Sequence, residues 1–144
     1  MPARDRCHDQ FKNALIKDGW TITHDPLHVK WGTKDMYVEL GAEFLIAAER
    51  DRCKIAVEVK SFLSDSEMHD LEQAVGQFTV YHEVLSRFEP DRELFVAVNE
   101  EVYTNLFEEP IGKLLVETQR IRLIVFDLHS ETIRQWIPQN PIER

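Results

Sequence analysis

The sequence predicts a single α/β domain, residues 1–144, with a mixed sheet flanked by helices. Three observations carry this. Two long stretches have helical apolar spacing, short β-branched runs lie between and after them, and 43% of the 144 residues are hydrophobic against 30% charged. A chain of this length buries roughly 68–70% of its unfolded surface around one core. Five Gly and six Pro without a biased run exclude linker-like and collagen-like classes.

The first helix is predicted over Ala3–Lys17, where Cys7, Phe11, Ala14 and Leu15 recur at i, i+4, i+7 and i+8. Gly19 supplies its stop. Trp20–Thr23 alternates and reads as a strand closed by Asp25-Pro26, and Leu27–Trp31 is extended up to Gly32. In Asp35–Leu40, Met36, Val38 and Leu40 share one face and Asp35, Tyr37 and Glu39 the other. Gly41 marks a bulge or bend. Glu43–Glu49 continues as a buried strand, Arg50-Asp51-Arg52 turns it, and Lys54–Ser61 returns as its hairpin partner.

Ser64 or Ser66 caps a second helix over Glu67–Arg87, with an apolar stripe of Met68, Leu71, Val75, Phe78, Leu85 and Phe88. Leu94–Val98 is a buried strand. Helices over Glu101–Phe107 and Ile111–Thr118 are separated at Pro110, Ile121–Asp127 is buried, and Thr132–Ile137 forms an edge strand. This order stacks helices on the faces of one sheet.

Seventeen Lys and Arg against 26 Asp and Glu leave a net charge of −9. That total opposes long-range attraction to duplex DNA. Contact with nucleic acid therefore requires a bound cation, a partner protein or a local basic rim, for which Lys12, Lys17, Lys30 and Lys34 are available. Acidic stretches such as Glu108-Glu109 and Asp65–Asp70 suit docking on proteins. Cys7 and Cys53 form no CxxC and fit free thiols in a cytoplasmic setting. No apolar run reaches membrane-span length, and Met1–Arg6 leads into polar residues instead of a signal-peptide core.

Glu58 and Lys60 lie two apart on a strand, so they share a face, while Ile55, Val57 and Val59 on the other face anchor it. Either the pair faces solvent at a strand end, or it is buried and binds something, because unpaired buried charge is costly. A turn centred near Arg50–Arg52 brings Glu43 across from Val59 and Lys60. Two gathered carboxylates repel unless a proton or divalent cation sits between them. Mg²⁺ is held by such oxygens plus waters, polarises a phosphate and acidifies a bound water. Lys60 beside it suits charge stabilisation, so these residue types fit phosphodiester hydrolysis.

Helix, strand, acid on a second strand, Glu58-Val59-Lys60 on a third, then a helix with Gln77 and Tyr81: this succession resembles the PD-(D/E)XK (restriction-endonuclease-like) fold, with its αβββαβ core. More narrowly the chain resembles the XisH family, excision controlling factors of the fdxN element in cyanobacteria. The phrases that carry this are Asp18–Pro26, Leu40-Gly41-Ala42-Glu43, Ile55–Phe62 and Gly76-Gln77-Phe78, and the likeness runs to about Trp136–Pro138. The resemblance implies Glu58 as the family acid, Lys60 as the family lysine and Gln77 as the helix glutamine. The earlier acid falls on Glu43, or on Glu39 if the chain bends at Gly41. No Pro-Asp precedes the motif, and the leading acid is a glutamate, one methylene longer than aspartate. The implied cofactor is Mg²⁺ or Mn²⁺. The implied role is control of site-specific DNA excision, either by cleaving DNA or as an inactive scaffold beside an XisI-like companion and a recombinase, with a homo-oligomer open.

Other residues have plainer readings. Asp5, His8 and Asp9 lie at i, i+3 and i+4 on the first helix, a spacing that can add a metal ligand, but a solvated helix face or an amino-terminal cap is the favoured reading. His24 and His28 are turn residues, and Trp20, Trp31 and Trp136 are packing residues rather than a base-stacking platform.

Overall fold

The structure, a computed structural model, describes residues 4–45 and 52–143. Its elements in chain order are α1 (His8–Lys17), β1 (Thr21–His24), β2 (Leu27–Trp31), β3 (Lys34–Val38), β4 (Leu40–Leu45), β5 (Arg52–Val59), α2 (Glu67–Phe88), β6 (Arg92–Asn99), α3 (Glu100–Val102), α4 (Pro110–Glu117), β7 (Leu123–Asp127) and β8 (Thr132–Ile137). A π-helical turn, Tyr103–Phe107, joins α3 to α4. Ala3, the Ile46–Glu49 part of the expected strand and the Arg50-Asp51 part of its turn lie outside the described residues.

Six strands form one mixed sheet in the order β1-β4-β5-β6-β7-β8, with β5, β6 and β7 parallel and the other pairs antiparallel. The expected mixed sheet flanked by helices is therefore present. Strand alternation sends Ile55, Val57, Val59, Phe95 and Ala97 to one face, where Phe11, Ala14 and Leu15 of α1 cover them. Ala56, Leu94, Val96 and Val98 point to the other face, against Leu71, Ala74, Phe78 and Leu85 of α2. Among the described residues no helix is long and apolar enough to cross a membrane.

The chain departs from the expected pattern in three places that matter for the site. First, β2 and β3 pair only with each other, as a two-stranded ribbon apart from the main sheet. The chain leaves the ribbon at Glu39 and enters the main sheet at Leu40. Met36 and Val38 consequently pack on the α2 side while Leu40 packs on the α1 side, so the three do not share a face. Second, α1 begins at His8, not Ala3. Asp5 takes the amide of Cys7 on its side chain, at 2.9 Å, and the amide of His8 on its carbonyl, at 3.1 Å. This local bonding holds the preceding segment out of the helix. Third, Met68 and Phe88 are exposed, because α2 is longer than the core it covers.

Of the two candidate caps on α2, Ser66 is the N-cap: its hydroxyl accepts from His69 N at 3.1 Å. Removing that acceptor in Ser66→Ala is expected to cost about 1 kcal/mol. For a chain of this size that is a fall in melting temperature of about 3 °C, measurable by circular dichroism.

Candidate active site

Glu58 is the last but one residue of β5, so its carboxylate leaves the sheet near the strand's end, on the side of Gln77 and Tyr81 in the middle of α2. The residue opposite it is set by register. Leu40 pairs with Val57 across β4 and β5, which puts Glu39 alongside Glu58. The break at Glu39 frees its amide from a ladder, and Glu58 Oε1 accepts that N–H at 2.7 Å. Lys60 Nζ stands 3.7 Å from Glu58 Oε2, and the Lys60 amide is held by Ala97 O of β6 at 3.0 Å.

These groups line a cavity of about 250 Å³, together with Gln77 and Tyr81 of α2 and Tyr37 of β3. Gln77 Nε2 donates to Tyr81 Oη at 3.1 Å, and Tyr81 in turn reaches Tyr37 O at 3.4 Å. The wall of the cavity is thus tied to the base of the ribbon.

Below Glu39 lies a buried histidine. His8 is 2% exposed, with Nδ1 2.5 Å from Glu39 Oε2 and Nε2 3.0 Å from Asp25 Oδ1. The second contact is an ion-pair distance outside hydrogen-bond geometry. Asp25 also receives Lys12 Nζ at 2.7 Å. Asp5 accepts from the amide and hydroxyl of Ser61, fastening the segment before α1 to the residue after Lys60.

Burial sets the electrostatics. Withdrawal from water pushes the Glu58 carboxyl up to about 7, opposed by Lys60 and reinforced by the charge of Glu39. Burial likewise raises Glu39, against the hydrogen bond and charge of His8. Asp25 is shifted the other way. Burial pushes it up, but Lys12 and His8 together outweigh that and hold it below the ordinary carboxylate range. Tyr81 is raised by burial and by the neighbouring Glu58. The cavity therefore concentrates negative charge that the protein's own cations only partly offset.

Of the residues expected from sequence, Glu58, Lys60, Gln77 and Glu39 come together here. Glu43 does not join them. It pairs with Lys54, not with the Val59 region, and its side chain meets Arg52 Nη1 at 3.2 Å. Four residues of strand separate Lys54 from Glu58, about 13 Å. The hairpin register is five residues away from the one assumed from a turn near Arg50–Arg52, and that displacement exchanges Glu43 for Glu39. His8 is neither a solvated nor a capping residue, and Asp5, two residues before the N-cap Cys7, bonds the Cys7 amide and Ser61 instead of capping the helix. Trp20 and Trp136 pack together in the core at 5.6 Å between ring centroids, whereas Trp31 is 50% exposed. His28 stacks on Tyr37 with centroids 4.8 Å apart.

Among the described residues no group of three or more His, Cys, Asp or Glu side chains is arranged to hold a metal ion. Mg²⁺ asks less than that, because one or two carboxylates suffice when waters and substrate phosphates complete its shell. Glu39 and Glu58 each accept hydrogen bonds from the protein. A carboxylate offers about four lone-pair sites, so both retain capacity for a hydrated cation.

A family model described as XisH protein matches residues 1–134. The chain belongs to the XisH family. Two solved structures share the fold of this XisH protein along most of its length. An XisH family protein from Nostoc punctiforme is 36% identical, covers 92% of this chain and 98% of its own, and superposes with a TM-score of 0.81. A fdxN element excision controlling factor protein from Anabaena variabilis is 39% identical, covers 93% and 99%, and gives 0.82. A comparison with the curated proteins gave no match.

Proposed function

We propose that this XisH protein takes part in the site-specific excision of a DNA element through a metal-dependent phosphodiester site of the PD-(D/E)XK kind. The observation that carries the reading is the meeting of Glu39, Glu58 and Lys60 in one cavity beside Gln77. The name of the Anabaena variabilis relative supports the biological side of it. Glu39, not Glu43, is the leading acid.

Glu39 and Glu58 would hold Mg²⁺ or Mn²⁺, which when bound supplies a Lewis acid for a phosphate and a more acidic water. The remaining work belongs to the chain. Lys60 places a positive charge within reach of the phosphate oxygens as negative charge builds on them. Lys60 also shares its charge with Glu58, which keeps that carboxylate ionised more readily than burial alone would allow. His8 fixes the direction of Glu39, and the Gln77–Tyr81–Tyr37 chain fixes the cavity wall.

The test is a pair of measurements on the purified protein. Mg²⁺ or Mn²⁺ is expected to raise the melting temperature of the wild type and not of Glu58→Ala. Cleavage of plasmid DNA is expected to fall by about 100-fold or more in Glu58→Ala, Lys60→Ala and Glu39→Ala while Glu43→Ala keeps it. No divalent-ion effect on melting, with any cleavage unchanged in those variants, rejects the reading.

A second reading has its own observation. His8 and the Glu39 amide already serve the two carboxylates, as polar partners do in a purely structural cluster. With a net charge of −9, that suits a non-catalytic scaffold binding an XisI-like companion and a recombinase. Capture of the companion by a chain that neither binds divalent ions nor cuts DNA selects this reading.

A further inference from the structure

The β2–β3 ribbon stands outside the main sheet, and its chemistry differs from the rest of the surface. Leu27, Val29 and Val38 are buried and fasten it to the core. Beyond them project Lys30, Trp31 and Lys34, all exposed, around a turn at Gly32 with φ of +63°. Neither lysine has a carboxylate partner among the described residues. Asp35, the only acid between Leu27 and Val38, is engaged by His28 at 2.7 Å. In a chain of net charge −9 this is a locally basic projection.

Its position gives the projection a purpose. Tyr37 lies on the ribbon and also lines the cavity, and its cross-strand neighbour is His28. Lys30, two residues beyond His28 on the face that carries Tyr37, is about 7 Å further out, and the Trp31–Lys34 pair is about 10 Å out on the opposite face, that of Val29 and Met36. Along one strand of duplex DNA a phosphate recurs about every 3.4 Å of axis, so these distances span two to three phosphates.

We propose that the β2–β3 ribbon is a DNA-contacting arm, with Lys30 and Lys34, which leave opposite faces of its tip, on backbone phosphates to either side and Trp31 against the sugar–base edge of a duplex that runs to the cavity. This rests on the reading of that cavity as a phosphodiester site. A duplex fits better than a protein partner, because Trp31 is the ribbon's single exposed large apolar side chain and cations flank it. The long-range repulsion from the total charge is countered where such cations lie.

The experiment measures fluorescence anisotropy of a labelled mixed-sequence DNA duplex without divalent ions, over a range of salt concentrations. The double variant Lys30→Ala/Lys34→Ala is expected to weaken binding by about tenfold or more and to lower the salt slope by about two. Trp31→Ala is expected to weaken it by about fivefold or more with the slope unchanged. Lys113→Ala, on α4 and outside both cavity and ribbon, is expected to bind as the wild type does. Melting curves of all variants should coincide with the wild type, since the substituted side chains are exposed. Wild-type binding that the ribbon variants leave unaltered overturns the arm alone. A wild-type chain that binds no duplex overturns the arm and the phosphodiester reading together. Loss of companion-protein capture in the ribbon variants, with DNA binding intact, reassigns the ribbon to a protein contact.

Discussion

Glu58→Gln is expected to make the protein more stable at about pH 8 and less responsive to divalent ions. The sign follows from the shift. Glu58 is raised from 4.5 to about 7, so the fold favours its protonated form. Above about 7 the carboxylate is ionised in both folded and unfolded chains, and the full cost of holding it in the cavity is present. As the pH falls through about 7 the folded chain takes up a proton, and the cost fades until it vanishes below the unfolded value. The shift corresponds to about 3 kcal/mol. The shift is already net of the Glu39 N–H bond and of Lys60, and an amide keeps the acceptor as the protonated acid does, so the gain is about 3 kcal/mol. Melting at about pH 8 should rise by about 9 °C, and the gap should close near pH 4. Adding Mg²⁺ should narrow the gap from the other side, by stabilising the wild type alone. Identical melting of the two proteins across this pH range would show that the carboxylate is not held against its preference.

Gly112→Ala is expected to destabilise the protein, against what helix propensity suggests. Gly112 lies inside α4, where alanine is ordinarily better by about 1 kcal/mol. A Cβ there would stand 2.3 Å from Leu106 O and 2.4 Å from Phe107 Cα, both backbone atoms of the π-helical turn. Backbone cannot rotate aside as a side chain can, so α4 must move off a turn whose Leu106 and Phe107 are buried. Overpacking of this kind costs roughly 3 kcal/mol, which outweighs the propensity gain and leaves a net loss of about 2 kcal/mol. The melting temperature should drop by about 6 °C. An unchanged or higher value would mean that the turn yields freely.

Alternation alone makes Glu58 and Lys60 visible in the sequence as one face of a buried strand, since Ile55, Val57 and Val59 must point the other way. Helical apolar spacing makes α2 visible, with Ser64 or Ser66 as its cap, and the hydroxyl that accepts from His69 N decides for Ser66. The choice between Glu39 and Glu43 is another matter. Both are acids on the same run, and only the pairing register decides which one meets Glu58. A signal was present in the run itself. Continuing one strand from Asp35 through Leu40 leaves Glu39 as an ordinary ladder residue, whereas a break there supplies an amide that a buried carboxylate needs. His8 was hidden for a related reason. Its spacing with Asp5 and Asp9 suits an exposed helix face, and the carboxylates that enclose it, Glu39 and Asp25, are far away in sequence. The close approach of the π-helical turn to Gly112 leaves no trace in periodicity.

All of the cavity's lining residues occur between Arg4 and Tyr81, yet the Lys60 amide is secured by Ala97 and β5 is flanked by β6. During synthesis, every reactive side chain therefore leaves the ribosome before the strand that locks their backbone into place has been made. Until Arg92–Asn99 has emerged, the Lys60 amide lacks the carbonyl of Ala97 and β5 lacks its parallel neighbour. The cavity is thus incomplete in a growing or truncated chain, and more than two thirds of the protein must exist before its backbone frame is closed.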